Sequence, residues 1–209
     1  AFRVAPDEEA YYTALHEACV AATRGEATEA ERAGDQQLVH AVRAMDDCMR
    51  TANELAERLS EWAGALFDED GAGVEFARTV ADREPTTPDE ERAVSLAERV
   101  VDLADEAEDL EAYVETRAPT VAPNLAAMAG PVLAARLVAL AGGLESLAKK
   151  PSGTVQVLGA EDALFAHLRG HASSPKHGVI YTHEYVRGTR PADRGSAARA
   201  VAGKLTIAA

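Results

Sequence analysis

Two stretches of this chain repeat apolar residues at alternating steps of four and three. From Gly34 the positions Leu38, Val42, Met45, Met49, Ala52, Ala56, Leu59, Ala63 and Leu66 keep that spacing throughout. A helix turns once every ~3.6 residues, so the pattern lays one apolar stripe along its side, the seam of a coiled coil. It predicts a helix of about 33 residues, ~50 Å long at a rise of 1.5 Å per residue. The segment DEDGAG ends it. The second stretch opens at TTPDEE, where Thr87 can cap a helix, Pro88 suits the first helical position and Glu90 completes a capping box. Its seam is read as Ala93, Leu96, Val100, Leu103, Ala107, Leu110 and Val114. Two long helices joined through residues 68–86, with a short helical piece around 74–83, predict an antiparallel hairpin. Alanine at several seam positions lets the helices approach closely but buries little area, so further partners would add stability.

On either side the pattern is shorter. Residues 7–24 read as an amphipathic helix followed by a polar break at 25–34. APTVAPN, 118–124, marks a boundary, with its prolines stopping the long helix and Asn124 capping the next. LAAMAGPVLAARLVALAGGLESLA then reads as apolar, tightly packed helices broken at Gly130-Pro131 and Gly142-Gly143. TVQVL, 154–158, is a β-branched run too brief for a sheet. GAEDALFAHLR starts a helix at 160, SSPKHG is a loop, and a last helix from about Pro191 is still running at Ala209, as expected of a truncated chain. The expected fold is all-α: an N-terminal helical segment at 1–34, a coiled-coil hairpin at 35–118 and a compact helical domain at 119–209.

Composition narrows the class. In 209 residues no apolar run approaches the ~20 that span a bilayer, and the first residues lack the features of a signal peptide. Cys19 and Cys48 lie on predicted helices without metal-ligand spacing, which favours packing over a disulfide and a cytoplasmic location. The chain carries 35 Asp and Glu against 21 Lys and Arg, an acidity that suits a protein kept soluble at high salt. The balance is uneven. Residues 1–119 hold 11 basic and 30 acidic side chains, and residues 120–209 hold 10 and 5. The C-terminal part is therefore the one expected to meet a polyanion.

Catalytic signals are weak. His167, His171, His177 and His183 fall close together, but no Cys joins them and no Glu is placed as in a zinc protease motif. GGLESLAKKPSGT lacks the order of a phosphate-binding loop, and no nucleophile–base arrangement stands out. The basic residues are more informative: Lys149, Lys150, Lys176, Arg187, Arg190, Arg194, Arg199 and Lys204 are spread over loops and helix starts. Gly159, Gly170, Gly178 and Gly195 place backbone N–H groups beside them, a combination suited to phosphate contacts. His177 and Tyr181 are candidates to stack on unpaired bases. A solvated surface, or a protein-only adaptor whose basic end meets acidic partners, is the competing reading.

The stretch VAPNLAAMAGPVLAARLVALAGGLESLAKKPSGTVQVLGAEDALFAHLRG, followed by PKHGVIY and RGSAARAVAGKLTIAA, resembles the Nop domain. This is the RNA–protein binding module of archaeal and eukaryotic box C/D ribonucleoprotein scaffolds and of a related splicing factor. DQQLVHAVRAMDDCMRTANELAERLSEWAGALF is similar to that family's coiled-coil segment. The wording GAE, PKHG and RG resembles the archaeal scaffold more than the splicing relative. The resemblance implies a non-catalytic scaffold without cofactor, metal or membrane. Such a scaffold pairs as a homodimer through the coiled coil and binds fibrillarin, the S-adenosylmethionine-dependent methyltransferase, through its N-terminal region. Its Nop domain grips a guide-RNA kink-turn occupied by a small ribosomal-protein-like partner, directing 2′-O-methylation of ribosomal or transfer RNA.

Carried over position by position, Lys149 and Ser152 match RNA-contacting places, and Gly159, Ala160 and Glu161 match the GAE turn. Lys176 and His177 match the loop that meets RNA, and Arg199 a basic contact on the last helix. With the neighbouring cations Lys150, Arg169 and Arg194 they form the expected RNA-binding set. Asp162 and Ser196 stand where relatives commonly carry Lys, and both remove positive charge from that rim.

Overall fold

The computed structural model describes residues 7–31 and 34–209, and the side chains of 7–25 and 34–209. Residues 1–6 and 32–33, part of the expected N-terminal segment, lie outside the described residues. Among the described residues every regular element is helical. Helix α1 spans Glu8–Glu31 and α2 spans Gly34–Phe67. The short α3, Gly73–Ala81, leads to α4, Pro88–Val121. Then follow α5 (Pro123–Ala129), α6 (Pro131–Ala141), α7 (Leu144–Ala148), α8 (Ser152–Val157) and α9 (Glu161–Leu168). A 3₁₀ turn at Val179–Thr182, α10 (Glu184–Arg187) and α11 (Arg194–Ala208) complete the chain.

α2 and α4 form the expected hairpin, and its distal core is a seam of small residues. Ala52, Ala56, Leu59 and Ala63 of α2 meet Ala93, Ala97, Val100 and Ala104 of α4, all buried. The seam of α4 differs from the one read in the sequence. Its buried positions are Ala93, Ala97, Val100, Ala104, Ala107, Val114 and Ala118, while Leu96, Leu103 and Leu110 are only half-buried along its flank. The alternating step is right but starts on four rather than three, because alanines allow the closer backbone approach and the leucines are too large for it. In α2, Leu38, Val42 and Met45 are buried and Leu66 is partly so, but Met49 is 40% exposed.

α3 packs on one edge of the seam through Phe76, Ala77 and Val80, and Arg78 reaches Asp105 on α4 at 2.6 Å. Among the described residues the opposite edge has no such cover. There Cys48, Leu55 and Trp62 of α2 recur every seven residues, as do Leu96, Leu103 and Leu110 of α4. In an antiparallel pair these flanking positions share one side.

Thr87 caps α4 as expected, its hydroxyl accepting the Glu90 N–H at 3.2 Å. The reciprocal half of the cap falls one residue earlier than a capping box places it. The Glu90 carboxylate accepts the N–H of Thr86 at 2.7 Å and its hydroxyl at 2.8 Å. Those bonds, the backbone one foremost, hold the Glu90 carboxyl below its ordinary range.

Several other expectations change. α1 continues through the expected polar break to Glu31, and none of its described side chains is buried. α4 does not stop before Pro119 but runs through it to Val121. Proline removes its own donor and restricts the residue before it, here Ala118, yet Ala118 is fully buried and packing holds it helical. Pro123, not Asn124, begins α5; Ala122 stands at its N-cap, and Asn124 is exposed. TVQVL lies largely in a helix, α8, where Val155 is buried against the core, so tertiary contact overrides β-branched propensity. The last helix starts at Arg194 rather than Pro191.

The proximal core joins both parts of the chain. Leu38, Val42, Met45, Val114 and Ala118 of the hairpin base pack with Leu125, Leu137, Leu147, Ile180 and Leu205. The boundary expected at 118–119 thus falls inside a continuous helix and a shared core. Polar bonds fix the joint. Asp35 at the start of α2 accepts the Leu144 N–H at 3.0 Å and so caps α7. Arg43 donates to the Ala139 carbonyl at 3.1 Å, and Arg136 clasps Asp46 through two nitrogens at 2.5 and 3.2 Å. No single described helix is long and apolar enough to cross a membrane.

Candidate nucleic-acid interface

α8, the 171–178 loop and the first turns of α11 enclose an open cavity of about 600 Å³. Lys176 comes from the loop and Arg199 from the second turn of α11, and both line it. The loop is held in place from below. Gln156 Nε2 donates to the Lys176 carbonyl at 2.7 Å, the Gly178 N–H donates to the Gln156 carbonyl at 2.9 Å, and the Val179 N–H to that of Leu158 at 2.7 Å. Residue 178 has to be glycine, because a Cβ there would stand 1.9 Å from the Leu158 carbonyl oxygen. The aliphatic stem of Lys176 then runs over Gly195, its carbons 3.7–3.8 Å from where a Cβ would sit. Two cations from distant parts of the sequence are thereby set at one recess.

Neither Lys176 nor Arg199 has an ion pair or side-chain hydrogen bond among the described residues, and the same holds for Lys150, Arg169, Arg187 and Lys204. The hairpin differs. Arg50, Arg58, Arg78, Arg83, Arg92 and Arg99 each hold a carboxylate, and Arg43 holds the Ala139 carbonyl. Unpaired cations are therefore concentrated in the C-terminal part, where the charge balance of the sequence turns positive.

The sequence-predicted site residues divide into three groups. Lys176 and Arg199 share the cavity, with Ser152 next to its wall residue Gly153. Lys149 and Lys150 sit at the end of α7; Lys149 pairs with Glu145 at 2.5 Å, holding the Glu145 carboxyl below its ordinary range. Arg169 follows α9 and is exposed. Gly159 and Glu161 face a second recess, of about 750 Å³, beside Asp46 and Arg136 at the hairpin base. Ala160 is the N-cap of α9, and the Glu161 carboxylate accepts the Gly159 N–H at 2.8 Å, which closes the turn.

His177 and Arg194 are engaged within the fold. The His177 ring stacks on Tyr181 with centroids 4.7 Å apart, and the Arg194 guanidinium lies 5.3 Å from the Tyr181 ring centre. Arg194 also donates to the Thr189 carbonyl at 3.1 Å. Those three side chains brace the loop. His183 is likewise structural: Nδ1 accepts the Tyr185 N–H as cap of α10 while Nε2 donates to the Met128 carbonyl at 3.1 Å. Asp162 points its charge from the first turn of α9, outside the cavity, whereas Ser196 lines it. Sequence reading missed Thr154, Gln156 and Ser174 in the walls. Their only signal was polarity, inside the matched stretch for Thr154 and Gln156 and beside PKHG for Ser174.

The profile of the Nop family, described as "snoRNA binding domain, fibrillarin", matches residues 36–209. The chain belongs to the Nop family. It is 56% identical over 97 residues to an uncharacterized NOP5 family protein of Methanocaldococcus jannaschii, covering 46% of this chain and 23% of that one. It is 32% identical over 210 residues to nucleolar protein 58 of Schizosaccharomyces pombe, covering 83% of this chain and 41% of the relative. The Nop chain thus spans less than half the length of these curated relatives. Among solved structures it is similar to a chain in the crystal structure of a fibrillarin/Nop5p complex, with a TM-score of 0.58 and 26% identity. That likeness covers 99% of this chain and 74% of the other.

Proposed function

We propose that this Nop protein is a non-catalytic, RNA-binding scaffold of a box C/D ribonucleoprotein. It joins a kink-turn guide RNA, the ribosomal-protein-like protein seated on that kink-turn, and fibrillarin, which carries out 2′-O-methylation. The observation that carries the reading is the placing of unpaired Lys176 and Arg199 at one preformed recess, in a chain where six of the hairpin arginines are held by carboxylates. Unpaired cations held rigidly beside exposed backbone supply phosphate contacts without first breaking internal pairs. Family membership and the likeness to the fibrillarin/Nop5p structure support the same assembly.

The uncovered side of the hairpin supports pairing with a second copy. Half-buried Leu55, Leu96, Leu103 and Leu110 and exposed Trp62 form a long strip, and covering it compensates the small area that the alanine seam buries. A gel shift with kink-turn RNA and its bound partner protein tests the scaffold reading. Lys176→Ala and Arg199→Ala are each expected to weaken the ternary complex about five- to tenfold, the loss of one charge-assisted contact. If both variants bind as the parent does, the interface is elsewhere. Binding that needs the partner protein and ignores RNA would favour a protein-only adaptor.

A further inference from the structure

The recess between α8 and α11 has a shape that phosphate contacts alone do not require. A nucleic-acid backbone presents a row of charge to a protein, and a flat cationic surface meets it. Here the two cations stand at a hollow of about 600 Å³, within the range of about 300–1,000 Å³ typical of small-ligand sites. Val157, Leu164 and Ala192 supply apolar wall, and Thr154, Ser174 and Ser196 supply hydroxyls. None of those three hydroxyls has a hydrogen-bond partner among the described residues. Apolar wall is of no use to a phosphate, but it suits the face of a base, while free hydroxyls suit its polar edge.

We propose that this recess receives one unpaired nucleotide splayed out of the bound RNA. Its phosphate lies between Lys176 and Arg199, and its base lies against Val157, Leu164 and Ala192. The proposal deepens the RNA-binding reading and rests on it. The hollow is built before RNA arrives, since Gln156 ties the loop and the Leu158 carbonyl leaves no room for a side chain at 178. A nucleotide already unpaired costs least to extrude, so the site selects RNA with an internal loop over a continuous duplex.

The test uses the full chain with kink-turn RNA and its partner protein. Ala192→Trp fills the hollow while removing no charge, and residue 192 is exposed, so no core contact is lost. It is expected to weaken binding tenfold or more with an unchanged circular dichroism spectrum and melting temperature. In the parent protein, abasic substitution at each unpaired RNA position is expected to reveal one position with a comparable loss, and that substitution adds no further loss to the tryptophan variant. Full affinity in Ala192→Trp, with Lys176→Ala and Arg199→Ala impaired, leaves the RNA reading standing and overturns the nucleotide pocket. Full affinity in all three overturns both. Uridine monophosphate binding as tightly as the RNA would assign the hollow to a free nucleotide and also overturn the proposal.

Discussion

The hairpin and the compact C-terminal part use the same side chains to opposite ends. Along α2, α3 and α4 most arginines hold a nearby carboxylate, as with Arg50 between Asp47 and Glu54. Exposed pairs of this kind contribute only about 0–1 kcal/mol each, but each one occupies a charge that could otherwise meet a phosphate. Around the recess the ion pairing is sparse, and Lys176 and Arg199 are held by backbone geometry instead. A binding site is thus marked less by how many cations a segment holds than by how many the fold leaves unspent.

The comparison can be broken most forcefully at the hairpin core. Leu59 is fully buried, so Leu59→Asp places an unpaired carboxylate there and is expected to cost about 4 kcal/mol or more. Thermal melting should show the loss, with the compact part retaining helix if the two cores are separable. Leu103→Glu acts on the half-buried flank. Light scattering is expected to show the mass falling to that of a single chain, while melting at matched concentration falls far less than for Leu59→Asp. An unchanged mass would remove the flank as a pairing surface. The smallest effects sharpen the charge contrast itself. Arg50→Ala should leave both RNA affinity and its salt dependence unaltered. Arg199→Ala should lower the slope of log K against log salt by about 0.7–0.9, one phosphate contact.

Much of the hairpin was legible because seven-residue periodicity survives any tertiary context. Both ends of α2 and the start of α4, with Thr87 as cap and Pro88 in the first turn, were readable as well from their local end signals. What failed did so where packing overruled local preference. Pro119 sits inside α4 because Ala118 is locked in the core, and the β-branched run at 154–157 is helical because Val155 is buried. The shift of the α4 seam to Ala97 and Ala104 reflects relative helix distance, which one strand of sequence does not encode. In the candidate site, Lys176 and Arg199 were readable from their motifs. Their sharing of one recess, the engagement of His177 and Arg194 with Tyr181, and the wall residues Thr154 and Ser174 are properties of the folded surface.

The polar joint at the hairpin base has a mechanical consequence. Asp35, Arg43 and Asp46 lie within the first four turns of α2, and each is bonded to the compact part. A single bond would act as a pivot, but three spaced along the axis resist rotation. Over a helix ~50 Å long, a tilt of about 10° at the base would swing the tip by about 9 Å. The joint makes the hairpin a lever with a stiff root, so whatever grips its far end is aimed, at a set angle, relative to whatever fills the recess.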